Sequence, residues 1–433
     1  MNICMFTNTY LPHVGGVARS VRFFAEDLID LGHRVLVVAP TFSDDKETSG
    51  KHPEVLRVPA IQQFNGSDFS VRIPLPLYVD QEIEQFVPDV VHSHHPFLLG
   101  DAAVRVARKR TLPLVFTHHT LYEQYTHYVP IDSDKLKNFV IRLATMYANL
   151  CSRVVAPSRS IARLLLDRGV SRPIEEIPTG VNVSFFAAGN GERVRRDSHL
   201  PDDAPVVGHV GRLAPEKNLP YLAKAVCIFL EKAPEAHFLV IGDGPSQSEM
   251  RQIFADRHLE DRLHLTGEAS GTRLRDAYSA MDLFVFSSKS ETQGMVLLEA
   301  MAAGKPVVAL DASGSREVIR DGENGRLLPG DASTENFAEA MREFHSKPKL
   351  ARDWRFGARQ TAQQFSREAC AAKMEKLYRS LLTRHDASVP EAPAELEPLD
   401  ALSARIKTEW ELWRLKTAAA LDAGHSRSGK GLP

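Results

Sequence analysis

Cysteine is scarce: four in 433 residues, at Cys4, Cys151, Cys227 and Cys370. No two stand at a paired spacing. That excludes a zinc ribbon or a disulfide-framed fold and fits a reducing cytosol. Long apolar runs are missing as well. None approaches the roughly 18 residues that cross a bilayer, so membrane contact is expected to be peripheral. Residues 1–11 have neither the basic head nor the apolar core of a secretory leader. Net charge is nearly absent, with 53 Lys+Arg against 55 Asp+Glu, and by itself says little about partners; no nucleic-acid partner is expected. The full dinucleotide fingerprint, a repeat of solenoid length and the helical ligand spacing of a zinc site are all lacking.

The length allows two domains, each with its own core. Charge is uneven along it. Residues 1–101 hold 7 Lys/Arg against 13 Asp/Glu, and residues 102–172 hold 12 against 4. A basic block of this kind is either a solvated face or an attraction to anionic lipid heads or nucleic acid, of which the lipid is the partner expected here.

The strongest local pattern is SSKSETQGMVLLEAMAAGKP, residues 287–306. An apolar run at 283–286 predicts a buried parallel strand. A polar turn follows, and then an apolar helix over 295–303 that stops at Gly304. Such a turn offers free amides and the positive end of a helix dipole, which suit a phosphate. Gln293, Gly294 and Met295 stand at that helix start. Glu291 lies in the turn. Glu299 lies about one turn into the helix, where the backward lean of helical side chains can direct it to the mouth. Carboxylates beside phosphate-seeking amides match a nucleotide sugar. Two surface glutamates on an ordinary strand-to-helix turn would share the spacing.

The rest of the chain repeats a strand–turn–helix order, which predicts parallel sheets. Gly15-Gly16 follow the first strand, at a helix start open to close backbone approach. Histidines follow two successive strands, His94-His95 after 87–92 and His118-His119 after 114–117, at the sheet edge where open α/β folds bind ligands. Tyr122, Tyr125, His127 and Tyr128 come next. Aromatic and polar side chains together suit an acceptor that is part hydroxyl and part apolar. Asp132-Ser133-Asp134 follows no strand and is read as a helix cap. In the second half, Arg212 and Lys217 follow the strand 206–210; a forked donor and a point charge together suit a diphosphate.

Glu291 and Glu299 in this setting resemble the paired-glutamate motif of the retaining GT-B glycosyltransferases of family 4, over residues 1–382. Glu-Thr-Gln-Gly at 291–294 stands where that family more often has Glu-Gly-Phe-Gly. This version, with Tyr-Thr-His-Tyr-Val at 125–129, looks most like the diacylglycerol glucosyltransferases. The resemblance implies an α/β fold of two Rossmann-like domains facing across a cleft, with donor mainly on the second and acceptor on the first. It implies that His119 touches the transferred sugar with His94 in support, and that Gly15 and Gly16 face the diphosphate. Arg212 and Lys217 would bind the donor phosphates, Glu291 would meet the sugar and Glu299 the ribose. It implies front-side attack without a metal or cofactor. The expected reaction moves glucose from UDP-glucose to diacylglycerol at the inner membrane face. The alternatives are a mannosyl- or galactosyltransferase on another lipid or polysaccharide, and more remotely an epimerase or a silent sugar-nucleotide binder. No oligomeric state is read from the sequence.

The expected domains are 1–186 and 204–370, joined by a linker at 187–203. A terminal helix at 371–384 would cross back to the first domain. A Pro/Ala/Glu-rich linker at 385–401 would lead to an amphipathic helix at 402–421, with Leu402, Ile406, Trp410 and Trp413 as a stripe for a membrane or a protein surface, and a disordered tail at 422–433.

Overall fold

The structure, a computed structural model, describes residues 1–12, 15–41, 53–61, 71–72, 77–123, 134–289, 291–388, 408–409 and 412. The chain divides into two compact units. Unit 1 is Met1–Thr179 with the chain from Cys370 onward, and unit 2 is Gly180–Ala369.

Unit 1 contains β1 (Asn2–Phe6), β2 (Arg34–Pro40), β3 (Glu54–Val58), the short antiparallel pair β4 (Ala60–Ile61) and β5 (Val71–Arg72), then β6 (Val90–Ser93), β7 (Leu114–Thr117), β8 (Arg153–Ala156) and β9 (Ile174–Glu176). Seven of these make one parallel sheet in the order β3-β2-β1-β6-β7-β8-β9. Unit 2 contains β10 (Val206–Val210), β11 (His237–Ile241), β12 (Leu263–Leu265), β13 (Leu283–Phe286), β14 (Val307–Leu310) and β15 (Gly325–Leu328). Its sheet is also parallel, in the order β12-β11-β10-β13-β14-β15.

The unbroken apolar runs have a simple cause. A parallel sheet covered by helices on both faces must bury alternate side chains in opposite directions. Along β1, Cys4 and Phe6 enter one core while Ile3 and Met5 enter another. Along β13, Leu283 and Val285 enter one core of unit 2, and Phe284 and Phe286 the other. In both sheets the chain builds outward on one side of the first strand and then restarts on the other. The strand order therefore reverses between β1 and β6, and again between β10 and β13. At such a reversal the loops at the carboxyl ends diverge and leave a crevice.

Three sequence expectations need correction. The unit boundary falls at Thr179–Gly180, not at residue 186. Residues 187–203 are not a free linker. They include the helix Glu192–Asp197, and Arg195 donates to the carbonyls of Ala280 at 3.1 Å, Asp202 at 2.9 Å and Ala204 at 2.9 Å, and to Asp282 at 3.3 Å. Its polar composition reflects a surface strap held by an arginine, which composition alone does not separate from a linker. The last long helix runs Arg367–Ser388, past the expected end at 384, and its residues from Cys370 on belong to unit 1.

In the segment expected to be an amphipathic helix for a membrane or a protein surface, the described residues pack on protein. Leu412 is buried in a core of unit 1, and Glu409 forms a forked ion pair with Arg105, one arm at 3.1 Å. The stripe residues Leu402, Ile406, Trp410 and Trp413, the linker beyond 388 and the tail lie outside the described residues. No described helix is long and apolar enough to cross a membrane.

Candidate active site

In unit 2 the two strands flanking the reversal end side by side. After β10 the chain passes Arg212, makes a single 3-10 turn at Pro215–Lys217, and enters the helix Leu219–Lys232 through Asn218, whose φ is 56°. After β13, Ser287 is fully buried. Its hydroxyl lies 2.9 Å from the Lys217 carbonyl and 3.0 Å from that of Asn218, which ties the two strand ends together. Lys217 Nζ pairs with Glu291 Oε1. Their side chains are 16% and 21% exposed, so the pair is accessible yet shielded enough for its charges to act strongly. Arg212 pairs with Glu216 and is more open, at 47%.

Gly294 caps the helix Met295–Ala302 in the left-handed conformation and offers it no side-chain cap. The cap leaves the helix dipole's positive end beside Glu291. Gly314 has φ 86°, and a Cβ there would lie 2.6 Å from Glu291 Cβ and 3.1 Å from the Gly294 nitrogen. Only glycine lets that loop lie against the turn. Gln293 is buried.

Glu299 has a partner that its position in the helix does not announce. It is 4% exposed, and its carboxylate accepts from the Tyr278 hydroxyl at 2.8 Å. Its side chain is drawn to a buried phenol from the helix Gly271–Ala280, a contact that helical spacing could not show. The burial of Glu299 and the half-buried pairing of Glu291 with Lys217 set both apart from ordinary surface glutamates.

Sequence reasoning missed His209. It lies on β10 beside the rings of Phe284 and Phe286, fully buried, with Nδ1 3.1 Å from the Val285 carbonyl. Burial lowers its pKa to about 4. A histidine inside an apolar strand was the available signal.

In unit 1, Gly15 caps the helix Gly16–Asp30 without a side-chain bond, and a Cβ on Gly16 would meet nothing within 4 Å. Backbone there is open to a ligand. The histidines at the ends of β6 and β7 do come together. His94 Nδ1 lies 2.9 Å from His119 Nε2. His92, which the sequence reading passed over, sits between the Tyr378 hydroxyl at 2.6 Å and Thr117 Oγ1 at 2.7 Å. His95 Nδ1 accepts from the Asn8 amide at 3.1 Å. Burial holds these rings neutral: it pushes His92 and His95 down to about 3, and lowers His94 and His119 as well.

A neutral imidazole has one N–H, so in the His94–His119 contact one ring donates and the other accepts. If His94 donates through Nδ1, only its lone pair at Nε2 stays buried without a partner, and His119 keeps an N–H to offer. The opposite tautomers would bury an unpaired N–H on His94, the costlier choice. Tyr122 packs edge-on to Phe97 at 5.4 Å, and its hydroxyl is buried without a partner. Tyr125, His127 and Tyr128 lie outside the described residues. Among the described residues no three His, Cys, Asp or Glu side chains gather as a metal site.

Two family profiles match the chain. One, described as Glycosyltransferase Family 4, covers residues 14–185, and one described as Glycosyl transferases group 1 covers residues 190–361. An alpha-monoglucosyldiacylglycerol synthase of Acholeplasma laidlawii is 26% identical over 398 residues, spanning 89% of this chain and 98% of that protein. A GDP-mannose-dependent alpha-mannosyltransferase of Corynebacterium glutamicum is 31% identical over 334 residues, spanning 76% of each. Among solved structures, Anabaena Alr3699/HepE in complex with UDP and glucose superposes with a TM-score of 0.70 at 23% identity, over 88% of this chain and 100% of that one.

Proposed function

Because the chain belongs to glycosyltransferase family 4 and has the GT-B fold, we propose that it moves glucose from UDP-glucose to the hydroxyl of diacylglycerol with retention of configuration. The observation that carries the donor half is the Lys217–Glu291 pair beside the uncapped amides of Gly294 and Met295, where the unit 2 sheet reverses.

When the bond from sugar to diphosphate breaks, negative charge grows on the departing oxygens. Lys217 meets it as a point charge, Arg212 as a fork, and the amides as fixed dipoles. These donors and the amides are the groups proposed to meet the diphosphate, and no metal is invoked. Glu291, held by Lys217, is an acceptor for sugar hydroxyls. Glu299, oriented by Tyr278, is an acceptor for the ribose. The acceptor half rests on similarity to the Acholeplasma synthase over nearly the whole of both chains, and on neutral polar rings in unit 1. Membrane contact is peripheral, through the basic excess of residues 102–172, on the cytoplasmic side.

A second reading has its own support: the Corynebacterium relative uses GDP-mannose and matches at higher identity over a shorter span. Purified protein with diacylglycerol vesicles and a donor panel separates the two. UDP release from UDP-glucose that requires the lipid supports the first reading. Turnover with GDP-mannose alone transfers the chain to the second.

A further inference from the structure

His118 has no partner for either ring nitrogen, although it is only 1% exposed. Its ring stands edge-on to Phe116 at 5.9 Å and to Tyr122 at 5.8 Å, and Tyr122 continues the row to Phe97. The Tyr122 hydroxyl is buried and unpartnered as well, and so is His94 Nε2 from the neighbouring strand end. Buried polar atoms are rarely left unpaired, because each costs on the order of 1–3 kcal/mol. Four such atoms on three side chains at one sheet edge are too many to dismiss singly. The nearby cation Arg168 is paired with Glu123 at 2.6 Å and makes no bond to His118.

The chemistry of the missing partner follows. A neutral imidazole has one donor and one acceptor, and a phenol can do both. A hydroxyl group also does both. A phosphate or carboxylate only accepts and would face a lone pair; an ammonium only donates and would face an N–H. We infer that His118 and Tyr122 form a neutral subsite that recognises a hydroxyl of the acceptor, with the aromatic row against its apolar part. This rests on unit 1 being the acceptor side. It gives His118 a role of its own, distinct from that of His119.

The test has two arms. In the first, the full chain carries 15N-labelled histidine, and the His118 signals are assigned by their loss in His118→Phe, which keeps an aromatic ring in the row. Titration with monooleoylglycerol micelles should shift those signals saturably, and Tyr122→Phe should weaken the response. In the second, with UDP-glucose and dioleoylglycerol in mixed micelles, His118→Phe should raise the acceptor KM about tenfold while kcat changes less than about threefold. His118 signals unmoved by the monoglyceride overturn the proposal. So does an unchanged acceptor KM accompanied by a lowered Tm, which would mark a structural pair bridged by water. If the wild-type chain turns over no diacylglycerol, the proposed reaction fails, while the titration still decides the subsite.

Discussion

The two sheets share a strand order and differ in what they set at the point of reversal. Unit 2 places ionic groups there: Lys217 with Glu291 and Arg212 with Glu216, beside a bare helix start. Unit 1 places imidazoles that burial keeps neutral, linked to one another and to Tyr378 and Thr117. The units also differ in continuity. Unit 2 is one stretch of chain, whereas unit 1 takes in residues from the far end, including Tyr378 and Leu412. One topology thus serves opposite electrostatic tasks, because the topology dictates only where loops converge and the loop residues dictate the charge.

If the charges of unit 2 stabilise a departing diphosphate, their loss has the largest effect. Lys217→Ala should lower kcat on the order of 100-fold or more, the scale for removing one preorganised charge-stabilising group. Near-normal turnover in that variant would dissolve the contrast between the units.

The borrowed part of unit 1 comes next. Leu412 is 2% exposed in a core of that unit. Leu412→Ala should therefore cost about 2–5 kcal/mol. Hydrogen exchange of β6 and β7 amides should register the loss, with β10 and β13 spared. Unaltered protection in unit 1, together with weaker binding to anionic vesicles, would return the segment to a membrane role.

Acid should separate the units more gently. His92, His95 and His118 have folded-state values pushed by burial to about 3, below the ordinary 6.5. Between those limits the unfolded chain binds more protons than the folded one. Their contribution is therefore complete above pH 6.5 and is lost as pH falls toward 3. From pH 6.5 to 5 each ring should cost roughly 1–2 kcal/mol. In unit 2, His209 behaves in the same direction, and half-buried His237 and His264 are also lowered mainly by burial. After correction for intrinsic exchange rates, the unit 1 sheet should lose protection first at pH 5. Equal loss in both sheets would contradict the greater burden assigned to unit 1.

Much of this was legible in the residues. The alternation of apolar runs with amphipathic stretches marks the strands and helices. The polar turns after the strands mark the ligand edge, and Arg212, Lys217 and Glu291 stand in those turns. Less legible was any feature that depends on a distant contact. Residues 187–203 look like a linker until Arg195 is seen to hold them. Glu299 gives no sign in the sequence of its bond to Tyr278, 21 residues away. His209 gives no sign in the sequence of its stacking on Phe284 and Phe286, and Leu412 lies off the apolar stripe of its segment.

The sequence by itself determined the alternating βα order, two parallel sheets and the turns that end at their carboxyl edges. Those features follow from periodicity and from residues close together in the chain, where backbone geometry leaves few choices. Only the tertiary structure decided that Lys217 finds Glu291, 74 residues on, that His94 meets His119, and that unit 1 closes with the end of the chain. The physical reason is that each such pairing is selected by burial, which removes water as a competing partner, and burial belongs to the packed chain rather than to any short stretch of it.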